Sequence, residues 1–189
     1  MRKVIDVSYW QKDIDWQAAV AAGVQGVIIK ICEGCTPEET FWQHLNNVKS
    51  LGLDWGVYIY SHATTEADAA AEANEVLYIL QGEAPPMGVW FDFEAPECLS
   101  CADPTAVCSR FISDLNAQGL TAGVYGSLST LTDVINVNAL ADYVPWWCAQ
   151  YDVQCDFKSY YPNKILAGWQ YSQSEYIDGT NVDMNEWYL

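Results

Sequence analysis

Short apolar β-rich runs alternate with helical stretches through the first two thirds of the chain, and this alternation limits the fold more than any other feature. Lys3–Val7, Gly26–Ile31, Trp55–Tyr60, Gly88–Phe93 and Thr121–Tyr125 read as strands. Gly26–Ile31 is apolar apart from Lys30, as expected of a strand buried on both faces. Between them, Asp15 is placed to cap a helix over Trp16–Ala22 that Gly23 ends. Thr36-Pro37-Glu38-Glu39 reads as a capping box with Pro at the first helical position, opening a helix to about Leu51. Thr65–Leu80 reads as a long helix, and Asp103-Pro104 opens another that Gly119 closes. Beyond that, Ser129–Asn136 reads as a short helix. Tyr143–Trp147, Ile165–Tyr171 and Val182–Asn185 read as short strands with little helix between them. Repeated βα units imply a parallel sheet with right-handed crossovers. An open doubly wound sheet is possible, but a closed or nearly closed barrel fits better, because acidic residues recur at strand ends: Asp6, Asp92, Glu94 and, in the last strand, Asp183. Barrels of this kind carry their chemistry at the C-terminal ends of strands.

The chain's 189 residues allow one compact core. No Pro- or Gly-rich linker and no internal repeat divides it, so residues 1–189 are expected to form one domain. The formal net charge is −17 with only eight Lys and Arg. That balance argues against nucleic acid and against an anionic membrane surface as partners. It also disfavours approach to anionic wall polymers without a separate targeting module. Nine Trp and twelve Tyr exceed what a core of this size needs, and suit a groove that stacks on sugar rings. Met1-Arg2-Lys3 leads straight into a strand, with no apolar leader and no membrane-spanning run, so no secretory signal is expected. Cys32/Cys35 and Cys98/Cys101 form two C-x-x-C pairs, a zinc-like spacing. They lie far apart, lack an accompanying His and leave Cys108, Cys148 and Cys155 over, so reduced thiols or local disulfides are expected and a metal is not.

The segment Val89-Trp90-Phe91-Asp92-Phe93-Glu94 is the most informative for chemistry. Alternation along a strand sends Asp92 and Glu94 to one side, with Cα atoms roughly 7 Å apart. Each raises the other's pKa, and apolar neighbours add desolvation. One carboxyl can then hold a proton as general acid while the other stays ionised, which is the core of glycoside hydrolysis. No GxGxxG, P-loop or G-x-S-x-G pattern is present, and two histidines, His44 and His62, are too few for a multi-His metal site.

The chain resembles the glycoside hydrolase family 25 lysozymes, the N-acetylmuramidases of phage endolysins and bacterial autolysins. The matching stretches run from end to end: Ile5-Asp6-Val7-Ser8 with Trp10-Gln11, Gly26-Val27-Ile28-Ile29-Lys30, Gly56–Tyr60, Trp90–Glu94, Gly123-Val124-Tyr125, Trp147–Tyr151, Trp169-Gln170-Tyr171 and Val182–Asn185. Together, in order and spacing, they are specific. The resemblance implies an α/β fold, an irregular TIM-like (β/α) barrel with reduced helices in its C-terminal part. It implies hydrolysis of the β-1,4 bond between N-acetylmuramic acid and N-acetylglucosamine in peptidoglycan glycan strands, with no cofactor. It makes Glu94 the general acid and Asp92 the residue that orients the substrate's acetamido group or stabilises developing charge. Asp6 and Asp183 complete an acidic cluster, and Tyr60, Tyr125, Trp147 and Gln170 become sugar contacts. Tyr60-Ser61-His62 departs from the family pattern, in which a His often follows the third strand's Tyr, and the cysteine clusters are not a family feature. Tyr58 is expected to face the core or a helix, and Trp55, Trp90 and Trp146 to be packing residues. The expected setting is synthesis in the cytoplasm and action on the wall outside. The competing readings are a chitinase-like glycosidase, disfavoured by Trp90 where that pattern has Asp, and a non-catalytic wall-binding barrel, disfavoured by retention of all four acids.

Overall fold

The structure, a computed structural model, describes residues 1–189. Its strands are β1 (Arg2–Val7), β2 (Gly26–Glu33), β3 (Thr36–Pro37), β4 (Asp54–Tyr60), β5 (Val89–Asp92), β6 (Ala122–Ser127), β7 (Pro145–Ala149), β8 (Ile165–Ile177) and β9 (Thr180–Trp187). Its helices are α1 (Trp16–Ala21), α2 (Phe41–Ser50), α3 (Glu66–Leu80), α4 (Pro96–Leu99), α5 (Pro104–Ala117) and α6 (Phe157–Tyr160). No helix is long and apolar enough to cross a membrane.

Eight strands close a barrel. β1, β2, β4, β5, β6, β7 and β8 pair in parallel in that order, with Ile5 opposite Val27 and Asp92 opposite Tyr125. β9 then runs antiparallel to both β8 and β1 and shuts the gap. A closed α/β barrel with few helices in its second half is therefore what the chain forms, as the βα repeats implied. The sequence tail hides how long its last two strands are. β8 and β9 form an extended hairpin whose turn, Asp178-Gly179, has φ of 47° and 84°. Both values are positive, as a two-residue turn matching strand twist requires, and Asp-Gly is a preferred pair for it.

Helix starts follow local chemistry, with one correction. Asp15 caps α1, Thr65 and Asp68 cap α3 reciprocally, and Asp103 caps α5 with Pro104 in its first turn. The Thr36–Glu39 box does not open a helix. Thr36 and Pro37 instead pair antiparallel with Glu33 and Cys32 across a tight turn at Gly34, where φ is 53°. Ladder bonding to β2 outcompetes the cap, and α2 begins only at Phe41 without a side-chain cap. The expected Ser129–Asn136 helix is a π-helical turn over Thr130–Val134 followed by a 3-10 turn at Val137–Ala139.

Period-two alternation sorts the barrel. Ile5, Val7, Val27, Ile29, Val57, Ile59, Val89 and Phe91 face outward, into a core shared with the helices. Val4, Ile28, Trp90, Trp147 and Trp187 face inward and plug the barrel. The three indoles meet edge to face at centroid distances of 5.1, 5.8 and 6.0 Å. Each removes on the order of 200 Å² from water, about 5 kcal/mol before entropic costs. Two glycines make the space: a Cβ on Gly123 would lie 2.5 Å from the Trp90 ring, and one on Gly168 would lie 2.4 Å from the Trp187 ring. One layer nearer the C-terminal ends of the parallel strands, the inward positions turn polar. That layer is the site.

Candidate active site

The indole plug is the floor of a cleft of about 430 Å³. Asp6, Asp92, Glu94 and Asp183 all line it, as do Tyr60, Tyr125, Trp147 and Gln170, so every site residue expected from sequence converges on one place. Alternation accounts for this. Asp6 stands two residues beyond Val4 in β1, Asp92 two beyond Trp90 in β5, and Asp183 four before Trp187 in β9. Asp6 and Asp183 are direct cross-strand partners.

A hydrogen-bond network fixes the Asp6 end. Asp6 Oδ2 accepts from Asn185 Nδ2 at 2.8 Å and from Gln170 Nε2 at 3.1 Å. Gln170 Oε1 accepts from the hydroxyls of Tyr125 at 2.9 Å and Tyr151 at 2.8 Å. Trp147 Nε1 donates to Asn185 Oδ1 at 2.7 Å, which ties the network to the floor. Burial is the largest cause pushing the Asp6 pKa up, to about 8, with the charge of Asp183 next; the bonds from Asn185 and Gln170 pull the other way. Burial also raises Asp183, partly offset by a hydrogen bond from Asp6. The two therefore share a proton across the β1–β9 ladder, as like charges this close must.

Asp92 and Glu94 differ in surroundings. Asp92 is 4% exposed, and its Oδ1 has no hydrogen-bond partner. Burial, then Glu94 and Asp6, hold its pKa well above the carboxylate range, with only Lys30 opposing. A buried orphan oxygen in a cleft costs free energy unless a ligand satisfies it. Glu94 lies past the end of β5 and reaches solvent. The backbone is still held there, because Phe93 N–H donates to Tyr125 O at 3.1 Å and α4 starts two residues on. Partial burial and the charge of Asp183 raise its pKa. Of the two, the deeper Asp92 is the one pushed further up.

Alternation also brings in residues given no site role from sequence. Tyr58, expected to face the core or a helix, lines the cleft beside Trp147, because inward positions in β4 include both Tyr58 and Tyr60. Asn185, two residues from Asp183, was findable by the same rule. Lys30 Nζ pairs with Glu33 at 2.6 Å and lies 5.4 Å from the Tyr60 ring centroid. His62 is at the rim, with Nδ1 2.5 Å from Glu97 and Nε2 3.3 Å from Glu33, and these acids raise its pKa. Trp55, Trp90 and Trp146 are buried packing residues.

The seven cysteines are free thiols, and no three His, Cys, Asp or Glu side chains gather as a metal site would need. Burial holds the thiols of Cys32, Cys98 and Cys108 up, which keeps them unreactive. Cys148, near the end of β7, and Cys155 flank the loop that carries Tyr151, and each perturbs the other's titration, Cys148 upward and Cys155 downward.

The proton on Asp6 has a consequence for stability. An acid whose folded pKa exceeds its unfolded value near 4 contributes fully below about pH 4, and that contribution is lost as pH climbs towards the folded value. Melting temperature should therefore fall between about pH 4 and the folded value of about 8, and Asp6→Asn should flatten that fall, since an amide keeps a donor for Asp183 without the charge. Parallel melting curves for the two proteins across this window would refute the linkage.

Three comparisons bear on this cleft. The sequence profile of Glycosyl hydrolases family 25 matches residues 5–180. The chain is 28% identical over 189 residues to an autolytic lysozyme of Clostridium acetobutylicum, covering 97% of this chain and 55% of that protein, so it spans about half of the relative's length. The crystal structure of the CTP1L endolysin superposes with a TM-score of 0.85 at 26% identity, covering 100% of this chain and 67% of that one. The catalytic domain of the endolysin ply40, from a Listeria monocytogenes bacteriophage, gives 0.82 at 26% identity, covering 100% and 93%.

Proposed function

The chain belongs to the glycosyl hydrolases of family 25, and on that premise we propose that it is an N-acetylmuramidase, cutting the β-1,4 bond between N-acetylmuramic acid and N-acetylglucosamine in bacterial peptidoglycan. The observation that carries this reading is the separation of two carboxyls at the end of one strand. Asp92 is sunk with an unpartnered oxygen, and Glu94 stands at the open rim with a raised pKa.

Glu94 protonates the departing glycosidic oxygen, a task its raised pKa suits because the acid form persists to higher pH. The substrate's 2-acetamido carbonyl oxygen attacks the anomeric carbon as that bond breaks. Asp92 Oδ1 accepts the acetamido N–H, which satisfies the orphan oxygen and aims the carbonyl. Asp92 acts as a carboxylate, having released its proton to solvent before the step, and it attracts the positive charge developing on the acetamido group, so the interaction strengthens in the transition state. Glu94, now a carboxylate, then takes a proton from the water that opens the cyclic intermediate. Asp6 and Asp183 add negative potential beneath the sugar, and Tyr60, Tyr125 and Gln170 line the cleft above the Trp147 floor. None of these steps calls for a cofactor. Residues 1–189 act as one catalytic unit, made in the cytoplasm and working on the wall. With a charge of −17, the unit gains from a wall-binding module elsewhere in the same or another polypeptide.

Digestion of peptidoglycan followed by borohydride reduction and mass spectrometry tests the bond. Reduced muramic acid ends are the expected product. Reduced glucosamine ends would move the cleaved bond, and wall binding with no new ends would remove the enzymatic reading.

A further inference from the structure

Five large aromatic side chains line the cleft, and four of them are sunk or partly covered. Trp10 is 84% exposed. An indole left in water forgoes burial that would stabilise the fold, so its fastening is informative. Trp10 sits in a 3-10 turn, Tyr9–Gln11, immediately after β1. Ser8 and Gln11 close that turn as a reciprocal capping box: Ser8 N–H donates to Gln11 Oε1 at 2.9 Å, and Trp10 N–H donates to Ser8 Oγ at 3.4 Å. Gln11 Nε2 also donates to Asn181 O of β9 at 3.1 Å, and the Tyr9 ring supports the indole edge to face at 6.1 Å. The turn is thus bonded within itself and to the strand that carries Asp183, while the aromatic face it presents is left open.

We propose that Trp10 is a stacking platform for a hexosamine ring of the glycan lying beyond the two sugars that flank the scissile bond. This rests on the peptidoglycan reading above. The buried Tyr125 and Trp147 lie around the carboxyls and contact the reacting sugars, whereas Trp10 at the rim meets a further one. A pyranose offers a flat face of C–H groups, which an indole matches in area and polarity. Because the backbone under Trp10 is already fixed, little ordering entropy opposes the contact. The platform makes the enzyme prefer long strands over short fragments.

The test compares wild type, Trp10→Ala and Trp10→Tyr on glycan oligomers of increasing length, with melting temperature as a check on folding. Trp10→Ala should raise KM for long strands about tenfold with little change in kcat, a loss that narrows as the substrate is trimmed. Trp10→Tyr, which keeps an aromatic face, should recover most of it. Calorimetric binding of long oligomers to Glu94→Gln with and without Trp10→Ala should show the same tenfold ratio. Equal KM for Trp10→Ala and wild type at every length overturns the platform and leaves the muramidase standing. So does a loss confined to kcat and independent of length. Failure of wild type itself to release muramic acid ends removes the reading of the whole cleft, a different result.

Discussion

Glu94→Gln should lose about 10³-fold in turnover on peptidoglycan while folding as the wild type does. The amide keeps the shape and removes the transferable proton, so the deficit should sit in kcat. The wild-type rate should decline as pH rises through the Glu94 pKa, at a pH above that of an ordinary glutamate, because burial and Asp183 hold the proton on. The residual rate of the variant should lack that limb. Stability gives a second readout of opposite sign. A carboxyl with a raised folded pKa contributes most in acid and loses that contribution as pH rises through its folded value, so the neutral amide should melt at the same temperature or higher near pH 7. Turnover within a few fold of wild type would sink the assignment of Glu94 as the acid.

Asp92→Asn should cost about 10²-fold or more, again in kcat rather than KM. An asparagine still offers one oxygen to the acetamido N–H, so ground-state binding survives. What it cannot do is present a negative charge to the positive charge that grows on the acetamido group. The same change should raise the melting temperature near pH 7, since Asp92 is buried beside Glu94 and Asp6 and the amide removes that repulsion. A variant that kept full turnover, or that lost stability along with activity, would show Asp92 to be structural. In wild type the two carboxyls therefore cost stability and supply rate, the trade expected where a site is kept strained for function.

Much of this was legible in the residue order. The parallel barrel follows from apolar runs separated by capped helices, and the acids at the ends of β1 and β5 follow from the period of two. The cap at Asp15 and the helix start at Asp103-Pro104 read directly because each side chain competes only with water. Thr36 failed because it competes with a strand edge, and a pattern four residues long carries no information about a partner three residues upstream. Tyr58 was misplaced for a related reason. Its direction follows from Tyr60 two residues on in β4, an expected sugar contact, and from Trp90 opposite it in β5, but the period of two was not carried back from Tyr60. The proton shared by Asp6 and Asp183 was beyond reach, since it depends on the β1–β9 register.

That register also governs when the cleft is complete. Asp6 bonds to Asn185, 179 residues further along, and the ladder between β1 and β9 is what brings Asp183 under the cleft. Closing contacts so distant in sequence costs more chain entropy than closing local ones. A polypeptide emerging from the ribosome holds Asp92 and Glu94 long before it holds the strand that completes their surroundings. Without β9 the barrel lacks the strand that closes it and the Asp183 and Asn185 it carries, so the cleft is complete only when the last strand docks against the first.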